Sequence, residues 1–276
     1  MKNYFPLFVG PTLLIFTIVF IIPFGLGIYL SFTNFRTVTD AVWVGFENYI
    51  HAFNDSTFVD ALWFTVRYTF VSVITINFLA FLLALLLTRG IKGTNVFRTT
   101  YFMPNMIGGI VLGYVWLAII NSVLYNFGVT ITYDPSYGFW GLIFMMNWQL
   151  IGYMMIIYIS GIQNIPEELI ESAQIDGANN FQILKNITIP LVRPSATITL
   201  FLTLSNSFKL FDQNLALTNG APAEQTTMLA LNIYKTFYGR NGWEGVGQAK
   251  AVIFSIIVGL IGLTQVYYSR RKEVEN

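Results

Sequence analysis

Six stretches dominated by apolar residues alternate with polar segments along the chain, at roughly 6–32, 62–88, 101–121, 138–161, 194–217 and 251–268. About 20 predominantly apolar residues let a helix cross ~30 Å of hydrocarbon. Lipid cannot satisfy exposed backbone groups, so only helices or a closed barrel can span, and the alternating ten-residue pattern of a barrel is absent. The pattern predicts an all-α polytopic membrane protein with six transmembrane helices. Short connections predict one membrane domain, 1–276, without a large soluble insertion. The fifth stretch is the weakest, because Thr203, Ser205, Asn206, Ser207, Lys209 and Asp212 interrupt it. The first run, Phe5 to Phe32, follows Lys2, exceeds a signal-peptide core in length and has no small-residue cleavage site after it; it is expected to stay as a span.

Between the fourth and fifth stretches lies the polar segment Pro166–Pro194, with four carboxylates, a Gly and two bracketing prolines. Pro166 suits the first position of a helix, where its missing N–H costs nothing. Glu167 and Glu168 in the first turn meet the positive end of the dipole. Leu169, Ala173 and Asp176 share one helical side, and Gly177 supplies the stop. A second short helix is expected near Asn180, with Phe181, Leu184 and Ile187 as its apolar stripe, ended by Pro190 and Pro194. This is a helix–turn–helix along the membrane surface.

Composition narrows the function. The chain is 55% apolar and only 11% charged, against about 25% charge in a soluble domain. A net charge of +1 leaves no basic stripe for nucleic acid. There is no Cys and a single His, His51, in an expected loop. Disulfides, thiolate metal sites, histidine clusters and intramembrane Ser-His-Asp triads are excluded. Lys and Arg counts orient the chain. The N-terminus, 89–100, 162–193 and the C-terminal tail hold nine; 33–61, 122–137 and 218–250 hold Arg36, Lys235, Arg240 and Lys250. Both termini and the Pro166–Pro194 segment are therefore expected in the cytoplasm.

Glu171-Ser172-Ala173, three residues, Gly177, nine residues, Ile187, one residue and Ile189-Pro190 resemble the "EAA" motif of permease subunits of bacterial ABC importers. That motif reads Glu-Ala-Ala, x3, Gly, x9, Ile-x-Leu-Pro; Ser172 and Ile189 are conservative departures. Asp176-Gly177-Ala178 is similar to the Asp-Gly-Ala of the sugar-importing branch. Leu30–Thr33, Phe46–Tyr49, Phe97–Pro104 and the segment from Phe211-Asp212-Gln213 to Asn219-Gly220 look like that branch's recurring segments, so the likeness covers nearly the whole chain. It implies the first-permease type of a carbohydrate importer, with the type I importer fold, in the bacterial plasma membrane. The Pro166–Pro194 segment would be a coupling helix seated on a cytoplasmic ATPase dimer, with Glu171, Ala173, Asp176, Gly177 and Ala178 at the contact. A second related permease and an extracytoplasmic solute-binding protein are the other implied partners. The chain has no G-x-x-x-x-G-K-[ST] loop, so it would bind no cofactor and hydrolyse nothing itself; ATP and Mg would sit in the partner ATPase. The competing reading is an amphipathic connector on the headgroups, but residues 167–176 are acidic, unfavourable beside an anionic leaflet.

Polar groups inside spans usually face a bundle interior or a water-filled path. Asn77, Gln149, Tyr153, Thr203, Asn206 and Ser207 are the candidates for a substrate pathway. Amides and hydroxyls beside aromatic faces suit a saccharide, with a di- or oligosaccharide expected and a glycerol phosphate or polyol as the alternative. Interhelical hydrogen bonding, worth ~0.6 kcal/mol on average, is the plainer explanation of each such residue. Gly109 and Gly113 form a G-x-x-x-G expected to be a close helix contact. Lys209 and Asp212, three apart, could neutralise each other. The aromatic segment Tyr234–Trp243 fits either an interfacial belt or a docking surface for the binding protein. A self-sufficient secondary transporter would need intramembrane ionisable groups and internal repeats, and the spans hold almost no acids. An intramembrane enzyme would need a nucleophile and a base, for which few residues remain.

Overall fold

The computed structural model describes residues 5–90 and 92–274, so Lys2 of the inner-side charge count lies outside the described residues. The helices are α1 (Phe5–Phe16), α2 (Ile22–Leu30), α3 (Glu47–Asn54), α4 (Ser56–Leu87), α5 (Thr94–Phe102), α6 (Gly109–Leu124) and α7 (Pro135–Gln163). They continue with α8 (Glu167–Ile175), α9 (Asn180–Ile183), α10 (Ile189–Leu191), α11 (Arg193–Phe208), α12 (Asp212–Leu217), α13 (Leu229–Gly239) and α14 (Glu244–Val274). A π turn at Thr17–Ile21 joins α1 to α2. The one small sheet described pairs β1 (Thr33–Asn34) antiparallel with β2 (Val42–Trp43), Thr33 facing Trp43.

Among the described residues, five helices are long and apolar enough to cross a membrane: Phe8–Leu30, Ser56–Leu87, Gly109–Phe127, Pro135–Gln163 and Glu244–Gln265. A sixth is obtained only by taking Asn180–Leu191 and Arg193–Phe208, bent by 66°, as one broken span. The expected fifth span at 194–217 is thus corrected. α11 holds 16 residues, about 24 Å of rise. Its last turn tightens, with Leu210 N–H reaching Ser207 O at 3.4 Å. Phe211 then leaves helical geometry at φ −124°, and a new helix starts at Asp212. The third span starts at Gly109 rather than 101, because Pro104 sits in a short 3-10 turn and Gly108 is extended. His51 lies in α3, not in a loop.

The Cα positions divide the chain into two compact units. The first combines residues up to Asp60 with Ala230–Ile257. Its interior is charged: Lys250 is completely buried and donates to Asp55 Oδ2 at 2.8 Å, Thr236 Oγ1 at 2.8 Å and Asn232 Oδ1 at 3.0 Å. Arg240 joins the same carboxylate oxygen at 2.9 Å and lies 5.0 Å over the Trp243 ring. Burial opposes ionisation of Asp55, but donation from Lys250 and Thr57 outweighs it and holds the carboxyl at about 2. Ion pairing thus ties the start of α4 to α13 and α14 in this unit, alongside buried Phe58, Leu231 and Ala249.

The second unit, Ala61–Leu229 with Val258 onward, is built around α7. Leu142, Met145, Met154 and Met155 on α7 are fully buried or nearly so, together with Tyr68, Ile76 and Leu112. In lipid, small residues rather than water aversion let helices close up. Gly152 has no room for a Cβ, which would overlap the Tyr101 carbonyl of α5. The G-x-x-x-G expected to be a contact is one: a Cβ at Gly109 would meet Asp212 Cβ at 2.8 Å, and one at Gly113 would meet Ala216. These two glycines seat α12 directly against α6.

Candidate functional site

The elbow between α7 and α11 is built by local signals. Pro166 occupies the cap rather than the first helical position, with ψ 131°, and Glu167 begins α8. At the other end Gly177 takes φ +84°. Its N–H donates to Gln174 O at 3.0 Å, and Ala178 N–H donates to Ala173 O at 2.9 Å. This pair of bonds is the Schellman closure, which requires a left-handed residue. Open space surrounds the position where a Cβ would stand, so backbone conformation alone demands glycine here. Asn179 then caps α9 reciprocally: Gln182 N–H donates to Asn179 Oδ1 at 2.9 Å, and Asn179 N–H donates to Gln182 Oε1 at 2.8 Å.

Pro190 does not end this second helix, contrary to expectation. A π turn at Leu184–Thr188 precedes it and α10 carries it, with the bend falling at Val192. The wider ring of i→i+5 bonding accommodates a residue that has no N–H to give. Of the five elbow residues singled out in the sequence, Glu171, Asp176 and Gly177 are exposed, and Ala173 and Ala178 are half-buried. Among them Ile175 is 86% exposed, and Phe181, just beyond, is 70% exposed. Apolar side chains thus stand beside carboxylates on a surface that none of the described residues covers. A cavity of about 800 Å³ separates the elbow from the ends of α4 and α7, lined by Arg89, Gln163, Glu167, Asn180 and Thr188 among others.

A second cavity, about 460 Å³, opens where α11 breaks. Gln149 and Tyr153 of α7 and Asn206 of α11 line it, together with Asn105, Lys209, Asp212 and Gln213. Gln149 is fixed from both ends, donating to Ile107 O at 3.2 Å and accepting from Gln213 at 3.0 Å. Lys209 and Asp212 do not form the ion pair expected of them among the described residues. The helix stops between them, so helical i,i+3 spacing does not apply, and both remain exposed to the cavity. Apolar surface comes from Met146, Leu150, Leu210 and Phe211.

The other three candidates lie elsewhere. Asn77 donates to Thr203 Oγ1 at 2.9 Å and accepts from the Tyr158 hydroxyl at 3.1 Å, joining α4, α11 and α7. Thr203 and Ser207 are fully buried. None of the three lines the cavity. Sequence reading did not assign Asn105 or Gln213 to the pathway, and it gave Lys209 and Asp212 only a mutual pairing. Asn105 and Gln213 fall inside the apolar stretches 101–121 and 194–217 read from the sequence, but the structure puts them in a short 3-10 turn and in α12, where the chain leaves its spans and borders the cavity. Among the described residues no group of three or more His, Asp or Glu could hold a metal ion.

Residues 76–274 match the family described as "Binding-protein-dependent transport system inner membrane component". The chain is 43% identical over 282 aligned residues to the probable starch degradation products transport system permease protein AmyD of Thermoanaerobacterium thermosulfurigenes, covering 98% of this chain and 94% of the relative. It is 30% identical to the multiple sugar-binding transport system permease protein MsmF of Streptococcus mutans serotype c, covering 95% and 93%. Among solved structures, a chain of a bacterial ABC transporter involved in the import of the acidic polysaccharide alginate superposes with TM-score 0.83 at 22% identity, covering 98% and 96%. The EAA spacing, the nearly all-helical fold with its elbow and these likenesses agree: the chain belongs to the binding-protein-dependent transport system inner membrane components, multi-pass membrane permeases of ABC importers.

Proposed function

We propose that the chain forms half of the translocation pore of an ATP-driven saccharide importer. A second related permease supplies the other half, and an extracytoplasmic solute-binding protein delivers the sugar. A cytoplasmic ATPase dimer, which binds ATP and Mg, drives the cycle. The observation that carries this reading is the 460 Å³ cavity. Gln149, Tyr153, Asn206 and Gln213 offer amides and hydroxyls at its rim, while Leu150, Leu210 and Phe211 offer apolar faces. A saccharide presents hydroxyls at its edges and C–H surface on its faces, so the two chemistries match. Relatives named for starch degradation products, arabinooligosaccharides and diacetylchitobiose support a neutral oligosaccharide.

The elbow supplies the drive. Glu171 and Asp176 offer charge for a basic groove on the ATPase, Ile175 and Phe181 offer apolar anchors, and Gly177 fixes the angle between α8 and α9. With both termini cytoplasmic, closure of the ATPase dimer pushes the elbow as a rigid body and turns the cavity outward. Lys209 favours one second reading, a phosphorylated polyol, which Asp212 beside it opposes.

The test is uptake into proteoliposomes holding the whole assembly, screened over neutral oligosaccharides and glycerol phosphate. Tyr153→Ala and Asn206→Ala are expected to lower uptake severalfold while leaving assembly with the ATPase intact. Loss of assembly together with uptake would assign both residues to packing. A preference for glycerol phosphate, abolished in Lys209→Met, would replace the saccharide reading.

A further inference from the structure

Behind the cavity wall, polar side chains of α4, α7 and α11 meet along a buried seam. Part of it is paired: besides the Asn77 links, Asn147 Nδ2 donates to Thr75 Oγ1 at 3.0 Å. The rest is not. The hydroxyls of Tyr68, Thr69, Ser72 and Ser207 and the Oδ1 of Asn147 are closed off from solvent and make no well-formed hydrogen bond within the protein, although Tyr68 and Ser72 stand near enough to interact. Each of these residues is more than nine-tenths buried, Tyr68, Ser72 and Ser207 completely so.

Helical spacing strings these groups along about two turns of α4. Tyr68, Ser72 and Thr75 follow at intervals of four and three on one face of α4. Asn147 is tied to that face through Thr75. Successive spans alternate in direction, so α11 runs opposite to α4. Ser207 lies one turn beyond Thr203, and the Asn77–Thr203 bond therefore sets Ser207 near Val73 and Ser72. Leaving so many buried polar atoms bare would consume a large share of a protein's net stability. A site that is polar, enclosed and ringed by two to four partners is one that holds water. Every group in it is a neutral hydroxyl or amide, so no countercharge is present for a cation.

We propose that this seam is a hydration site, with ordered water held between α4, α7 and α11 by Tyr68, Ser72, Asn147 and Ser207. Its position gives it a role in motion. Asn206 lines the cavity and Ser207 faces the seam; Met146 lines the cavity and Asn147 faces the seam. Water exchanges hydrogen-bond partners readily, so once the single Asn77–Thr203 bond is released α11 can shift against α4 while Ser72 and Ser207 stay satisfied.

X-ray radiolysis of the purified full assembly in H₂¹⁸O, read by mass spectrometry, tests this directly. Hydroxyl radicals generated from bound water label the residues around it even when bulk solvent cannot reach them. Tyr68 is expected to be labelled far faster, after correction for intrinsic reactivity, than Phe58, which is 1% exposed. The double variant Ser72→Val/Ser207→Val, which fills the seam with methyl groups, is expected to cut Tyr68 labelling severalfold. Should that variant fail to assemble, Ser207→Ala reads the same change on a smaller scale. Tyr68 labelled as slowly as Phe58 in the unaltered protein overturns the proposal. So does fast labelling that neither variant changes, because the water would then lie elsewhere.

Discussion

A lysine with no exposed surface, as Lys250 is, can be retained only if its charge is answered. Three acceptors answer it, and Asp55 shares its oxygen with Arg240. Breaking a buried pair by removing one partner costs about 3–5 kcal/mol. Lys250→Met is therefore expected to lower the thermal unfolding temperature sharply in detergent, while Arg240→Met, at the 40% exposed partner, costs much less. Acid titration reads the same cluster. The folded Asp55 carboxyl is depressed from 3.8 to about 2, so its contribution is present above pH 4 and disappears as pH falls toward 2. The difference amounts to about 2 kcal/mol. An Asp55→Asn variant should lack that part of the acid-induced loss, which unfolding curves taken across this window would reveal. None of this was legible in the sequence. Lys250 reads there as one more outer-side charge, and its partner stands 195 residues away.

At the scale of the element, the elbow was the most readable part of the chain, because its boundaries are set by neighbours in sequence. Pro166, Gly177 and Asn179 each act within four residues of themselves. The fifth span was the least readable. Polar residues in an apolar run can mean a pore-facing helix or a helix that stops, and between Ser205 and Asp212 both occur. The Gly177 conformation yields a prediction: at φ +84° an ordinary side chain costs about 1–2 kcal/mol. Gly177→Val should unsettle the junction of α8 and α9, lowering uptake and the amount of ATPase that co-purifies, with the spans unaffected. Co-purification and uptake both at the unaltered level would separate the elbow from the coupling role.

For the molecule as a whole, the fold class and family were evident from six apolar runs and one spaced motif, because hydrocarbon thickness and helix rise leave few choices. The cavity was half legible. Gln149, Tyr153 and Asn206 were found by polarity within spans, whereas Lys209 and Asp212 became lining residues only through the break that separates them. Reconstituted alone, the chain is expected to move no sugar, and uptake should appear only with a companion permease, an ATPase and nucleotide present. Transport by the single polypeptide would contradict that expectation. The π turn at Leu184–Thr188 has a bearing on how force could be transmitted. It contains one residue more than an α-helical turn requires, and each residue winds an α-helix by about 100°. Passing that surplus residue along the helix would turn α9 against α10 by a comparable angle, a change of gear with no covalent rearrangement.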